Sequence, residues 1–337
     1  MSTSTREFDR RKFLKWGVAG LSAAFAAPLL TSCSTDPAMS GAEGAGTLIR
    51  YGGSSSSMTG LFHYVLQLAA EESGIAEIDF TDMAQATALL TMRSGSDIDA
   101  VSMSWLNLGQ FRDEGHNAVA VAPMWGSPAA VIAHSDSGIK TVEDLRGRRV
   151  GIGTRQAGIY TDLDAYLKRQ GFNLEEECEV TSISDQPVLV AMFESGEFDA
   201  INLVEPLVTI QIEKGAVEVL GTARAIAEEN GGNYVPANSW AVSEDWLLEQ
   251  EDPEAVQAVF ARASEIVATE PTSWDMANDA IFNMDASTLK LWRERMSPLV
   301  LSEFTPEGLK LAQVSLDDEF AAGHLKSAYK VEDLIFP

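Results

Sequence analysis

"ATALLTMRSGSDIDAVSMS" (residues 86–104) and "VLVAMFESGEFDAINLVEP" (residues 188–206) follow one plan. Each runs through an apolar helical stripe to Ser-Gly, then enters an Asp-Ala strand. A glycine after a periodic apolar run stops a helix, and a short run rich in Val, Ile and Leu reads as a buried strand. The same rhythm surrounds each stretch. "TLIRY" and "AEIDF" read as strands around a helix whose stripe is Leu61, Phe62, Val65, Leu66, Leu68 and Ala69. "RRVGIG" and "EVTSIS" flank the amphipathic "QAGIYTDLDAYLKRQG". "AVAVAPMW" and "AVEVLGT" add a strand to each set, and after "NGGNYVPANSWAVS" the chain turns mainly helical. Repeated βαβ units predict parallel sheets with right-handed crossovers. Two such sets predict an α/β chain with two lobes and a helical C-terminal section.

The first 33 residues read as an address. "DRRKFLK" is basic, Trp16–Leu30 is apolar, and "LTSC" ends the segment at Cys33. Fifteen apolar residues fall short of the ~20 that cross a bilayer as a helix, so the segment reads as a signal peptide. "RRKFLK" resembles the twin-arginine export motif and "LTSC" a lipoprotein box, which implies cleavage before Cys33 and a lipid on its thiol. Residues 34–46, "STDPAMSGAEGAG", read as a flexible tether.

The chain of 337 residues has a net charge of −26. Residues 1–32 hold five basic and two acidic side chains, so the remainder has 19 basic against 48 acidic and carries −29. That field disfavours nucleic acid and anionic lipid surfaces. Two cysteines and four histidines (His63, His116, His134, His324) without ligand-like spacing predict neither a disulfide framework nor a metal site. Cys178 sits in "EEECEV", where carboxylates raise a thiol pKa, and reads as inert. No cofactor is expected.

"TVEDLRGRRVGIGTRQAGIYTDLDAYLKRQGF" (141–172), "FESGEFDA" (193–200) and "EP" (Glu205–Pro206), in this order behind a lipoprotein-type signal, resemble the substrate-binding proteins of ABC importers. The nitrate, sulfonate, taurine and thiamine-precursor group is the nearest. The resemblance covers roughly residues 47–222. It implies the type II periplasmic-binding-protein fold: two α/β lobes joined by two crossing strands, placed near Met124–Ser127 and Tyr234–Ser239. Lobe one is then 47–124 plus 238–337, and lobe two 125–237. The family's usual "GYF…EGL" segment is shortened here to "ESGIAEIDF".

In open α/β sheets ligands bind beyond the carboxyl ends of the strands. "GGSSSS" therefore places Ser54, Ser55, Ser56 and Ser57 either as an oxyanion seat at a helix N-terminus or as a linker. Ser104 and Trp105 end a strand, where Trp105 either stacks on a ligand or packs in the core. Thr154, Arg155, Gln156 and Gly158 open the first long helix of lobe two, a second set of donors. Asn202 and Glu205 close the "DAINLVEP" strand; Glu205 either receives a ligand ammonium or braces the hinge. Trp125 and Trp240 either line the cleft or pack, and His63 reads as a surface residue.

The expected function is an extracytoplasmic receptor, lipid-anchored through Cys33. It holds a small organic anion between the lobes and hands it, as a monomer, to an ABC permease and ATPase. The alternatives are a thiamine-pyrimidine-like heteroaromatic ligand, an enzyme on the same fold, or a sensory receptor. No catalytic constellation is assembled by the motifs, so the expectation is that the chain is not an enzyme.

Overall fold

The computed structural model describes residues 46–55, 58–155, 157–232 and 234–337. The expectations placed on residues 1–45, including Cys33 and most of the tether, and on Ser56, Ser57 and Gln156 lie outside the described residues.

Strands and helices alternate as β1 (Thr47–Gly53), α1 (Met58–Ser73), β2 (Ala76–Asp82), α2 (Gln85–Arg93), β3 (Ala100–Ser104), α3 (Trp105–Asp113) and β4 (Ala118–Trp125). The chain then continues through β5 (Ala129–His134), β6 (Arg149–Ile152), α4 (Gly158–Arg169), α5 (Leu174–Glu177), β7 (Glu179–Ser182) and α6 (Gln186–Glu194). β8 (Ala200–Val204), α7 (Leu207–Glu213), β9 (Ala216–Gly221), α8 (Thr222–Glu229) and β10 (Asn238–Ser243) follow. The end is helical: α9 (Glu244–Leu248), α10 (Pro253–Thr269), α11 (Thr272–Ala277), α12 (Ala286–Met296) and α13 (Pro306–Ala321). Several starts are set by side chains that satisfy free amides. Asp185 accepts from Val188 N, Asp252 from Ala255 N and Thr305 from Gly308 N, each at 3.0 Å, with a proline in the first turn of each helix.

Among the described residues there are two five-stranded sheets, β2-β1-β3-β10-β4 and β7-β6-β8-β5-β9. They are equivalent position by position. In each, one strand is antiparallel: β10 to β3 and β4, and β5 to β8 and β9. The sequence rhythm predicts parallel sheets, and the other pairings are parallel. The exception arises because β5 and β10 each enter their sheet from the other half of the molecule. The chain passes between sheets at 126–128 and at 230–237.

The equivalence extends to side chains. Arg50 donates its amide (3.0 Å) and Nε (2.8 Å) to Asp99 Oδ2 and its Nη2 to Oδ1, while Asp99 N returns to Arg50 O at 2.8 Å. Arg149 repeats this on Asp199, with amide 2.9, Nε 3.2 and Nη2 2.8 Å, and Asp199 N returns to Arg149 O at 2.9 Å. Two residues on, Gly52 and Gly151 leave room for the helix after the second strand of each half, α2 and α6: a methyl on Gly52 would stand 3.1 Å from Ala88, and one on Gly151 would stand 2.6 Å from Leu189.

Each sheet is covered on both faces. α1 and α10 cover one face of the first sheet around Tyr51, Phe62, Trp240 and Phe260. α3 and α13 cover the other, with Met103, Phe111 and Leu316. In the second sheet α4 packs over Val131, Val150 and Ala200, and α6 over Ile132 and Ile201.

Candidate ligand site

The carboxyl ends of β1, β3, β6 and β8 carry the residues of interest. After β1 the chain folds back over the first turn of α1. Ser55 donates its amide (3.0 Å) and hydroxyl (2.6 Å) to the Asp82 carboxylate at the end of β2. The Thr59 hydroxyl donates to Ser54 O at 2.6 Å. Ser55 O lies so close to the helix that a Cβ on Gly60 would stand 2.2 Å from it. Ser55 thus already holds one carboxylate, its own chain's.

Ser104 caps α3, its Oγ accepting from Asn107 N at 3.2 Å. A Cβ on Gly158, the first residue of α4, would stand 3.4 Å from the same Oγ. The two halves therefore touch where α3 and α4 begin, and two helix N-termini converge there. Such termini present free amides and a partial positive charge.

Asn202 is fully buried in β8, in the sheet that α4 covers, and neither end of its amide has a hydrogen-bond partner. Two equivalent glutamines repeat the theme. Gln85 and Gln186 are each the first residue of the helix after the second strand of their half. Each keeps a buried Oε1 with no donor, while Gln85 Nε2 donates to Ser102 O. Sequence reasoning passed both over; the signal was their equal position, nine residues before the Ser-Gly of each repeated stretch. Tyr51 OH is likewise buried and unpartnered, and burial pushes its pKa up.

Other candidates are engaged elsewhere. The indole of Trp105 is buried, bonds Pro236 O through Nε1 and tilts on Phe304. Trp125 sits edge-on to Phe62, and Trp240 bonds Ser264 Oγ at 2.9 Å. Thr154 is exposed, and Arg155 forks onto Glu175 at 2.7 and 3.0 Å. Glu205 is 2% exposed; its Oε1 takes Arg295 Nε at 3.0 Å and its Oε2 takes Thr209 N at 3.1 Å. Burial raises this carboxyl above its ordinary range, against the pull of Arg295.

His63 departs from the surface reading. Its ring stacks on Phe80 at 3.6 Å, and burial lowers its pKa to about 4 against the opposing charge of Asp82. Cys178 donates to Leu145 O at 3.1 Å, and burial raises its pKa to about 11, so the thiolate that a nucleophile requires is disfavoured.

Residues 71–273 match the family described as ABC transporter, phosphonate, periplasmic substrate-binding protein. The chain belongs to this family. As a member of it, the protein is a periplasmic-type substrate-binding component of an ABC transporter. No curated protein matches its sequence. The periplasmic aliphatic sulphonate binding protein SsuA from Escherichia coli is 17% identical, with a TM-score of 0.68 over 86% of this chain and 98% of that chain. The alkanesulfonate-binding protein SsuA from Xanthomonas axonopodis pv. citri, bound to MOPS, is 15% identical, with a TM-score of 0.69 over 87% and 99%. The desulfurization enzyme DSZB is 15% identical, with a TM-score of 0.57 over 86% and 96%. These likenesses show the fold, which binding proteins and an enzyme share.

Proposed function

We propose that this substrate-binding protein captures a small organic oxyanion of phosphonate or sulfonate type between its two halves and delivers it to an ABC permease and ATPase. The observation that carries the reading is the meeting of the α3 and α4 N-termini at Ser104 and Gly158. Asn202 stands buried and unpartnered in β8, in the sheet that α4 covers. Neutral donors suit an anion in so acidic a protein, because they work at short range while salt screens the long-range field over ~8–10 Å. Glu205 belongs to the hinge in this reading, since Arg295 and Thr209 N occupy its carboxylate. The buried tryptophan rings favour an anion over a stacked heteroaromatic, because Trp105, Trp125 and Trp240 are held by their own packing.

Between the two anions, the unpartnered acceptors favour phosphonate. A phosphonate monoanion keeps one P–OH, whereas a sulfonate has no proton to give. Gln85 Oε1, Gln186 Oε1 and Asn202 Oδ1 are acceptors without donors. Sites with buried acceptors reject analogues that lack the hydrogen, because the acceptor stays unpaired. Calorimetric titration with methylphosphonate and methanesulfonate is the test. Methylphosphonate is expected to bind about tenfold tighter or more, which is about 1.4 kcal/mol. Equal or reversed affinities would remove these acceptors from the ligand's surroundings.

Anchoring through Cys33 is part of the same proposal. Cys33→Ser is expected to move the exported protein from the membrane to the soluble fraction. A mature N-terminus elsewhere than Cys33 would refute it.

A further inference from the structure

Laying one half on the other through the Arg–Asp staples singles out one layer of each sheet. The two acids, Asp99 and Asp199, immediately precede β3 and β8. Three residues on from each stand Ser102 and Asn202. Ser102 is opposite Trp240 of β10, and Asn202 is opposite Val131 of β5. Residues directly opposite on paired strands share a face. Both therefore lie on the face covered by the first helix of their half, α1 with Trp240 and α4 with Val131. In the second half this layer holds the buried amide of Asn202, unpartnered at both ends.

In the first half the long polar group of the same layer comes from β1. Tyr51 stands opposite Ala100, but its hydroxyl ends where a Cβ on Gly53 would meet it at 3.4 Å. Gly53 continues the register Gly52↔Val101 and so comes level with Ser102. The phenol thus leans along β1 by two residues, ~6.6 Å of strand. It leans toward the carboxyl end of the sheet, where open α/β sheets bind ligands. The ring is held in place, tilted on Trp240 at 5.3 Å and stacked on Phe80 at 5.8 Å. The His63 ring lies nearly parallel to it at 6.2 Å, so faces rather than edges meet and no hydrogen bond passes between them. Among the described residues the hydroxyl is fully buried and has no partner. A phenylalanine would fill the same space without the cost of stripping water from that oxygen. Gly53 puts no side chain against it. Ser104, where α3 and α4 begin, is two residues beyond Ser102. That step, again ~6.6 Å, is comparable to the span of one phosphonate or sulfonate group with a hydrogen bond at each end.

We propose that Tyr51 is a specificity-determining residue: its hydroxyl donates to the ligand's oxyanion from the first half, as the counterpart of Asn202 in the second, one layer below the α3 and α4 N-termini. The inference rests on the oxyanion reading of that site. Burial raises the pKa of Tyr51, so the group stays a neutral donor throughout the working range of pH. Oxygens of phosphonate and sulfonate both accept from it. Tyr51 therefore selects an oxyanion as such, and the choice between the two anions is left to the acceptors of Gln85, Gln186 and Asn202.

The test is Tyr51→Phe in the full chain, with calorimetric titration by methylphosphonate and methanesulfonate and, in parallel, urea unfolding without ligand. Affinity for whichever anion the wild type binds is expected to fall about tenfold or more. If the wild type binds both, both should fall alike and their ratio should hold. The urea midpoint should not fall, because no protein bond is lost. Loss of affinity at undiminished stability is what a purely structural tyrosine would not give. Unchanged affinity would mean that water alone serves the hydroxyl, and would overturn the inference while retaining the oxyanion reading. A loss confined to one of two bound anions would overturn it too. So would a lower midpoint or a variant that does not fold, since the hydroxyl would then have a partner in the protein. A wild type that binds neither anion would remove the oxyanion reading, and this inference with it.

Discussion

Gly60 has no room for a side chain, because Ser55 O would lie 2.2 Å from its Cβ. Gly60→Ala must push the serine loop off α1. The expected cost is about 1–3 kcal/mol in urea denaturation, together with a fall in methylphosphonate affinity. An alanine variant with wild-type stability and binding would separate the loop from the ligand. Asn202 makes the opposite case. Both ends of its buried amide are unpartnered, so without ligand it costs stability. Asn202→Leu is expected to raise the unfolding free energy by about 1–3 kcal/mol while abolishing binding. A destabilised leucine variant would mean that the amide has a structural partner. The serine run and Asn202 were visible in the sequence as loop and strand-end polar groups. Gly60 was not singled out, because the oxygen that excludes a side chain there belongs to the loop folded back over the helix. Trp105 could not be placed, because its indole partner, Pro236, is 131 positions away.

At the scale of elements, the two quoted stretches are the same structural unit twice, and their order was legible because each βαβ unit is local. The antiparallel β5 and β10 were not legible. Each is placed by the crossing that precedes it, and no local pattern distinguishes an antiparallel central strand from a parallel one when both faces are buried. The paired staples Arg50–Asp99 and Arg149–Asp199 share their geometry but differ in burial, the carboxylate side chains being 3% and 25% exposed. Removing the arginine strands a buried charge in the first and a partly solvated one in the second. Arg50→Met is expected to cost about 2–4 kcal/mol and Arg149→Met distinctly less, because solvent screens its pair. Chemical denaturation of the two variants checks the order; equal costs would mean that burial of the acid is not what separates them.

At the scale of the whole molecule, Arg295 is central among the charged contacts that join the halves. It sits on α12, which packs against the first sheet through Trp292 and Met296. Its guanidinium reaches into the second half, to Glu205 at 3.0 Å, Thr209 Oγ1 at 3.1 Å and Glu218 at 2.7 Å. The chain crosses beside it, where Glu205 N donates to Pro128 O at 3.0 Å and Gly126 N to Leu299 O at 2.7 Å. Arg295→Met would leave the Glu205 carboxylate buried and uncompensated, at a cost of about 3–5 kcal/mol. Adding Glu205→Gln should recover much of that loss, because the neutral amide removes the stranded charge while keeping the bond to Thr209 N. The two variants differ in a second way. If the guanidinium also fixes the hinge, the double variant will be stable yet loose, with a larger radius of gyration than wild type and weaker methylphosphonate binding. Scattering and calorimetry on the same preparations distinguish the roles. A double variant as compact as wild type, binding as tightly, would leave Arg295 with a part in stability and none in closure.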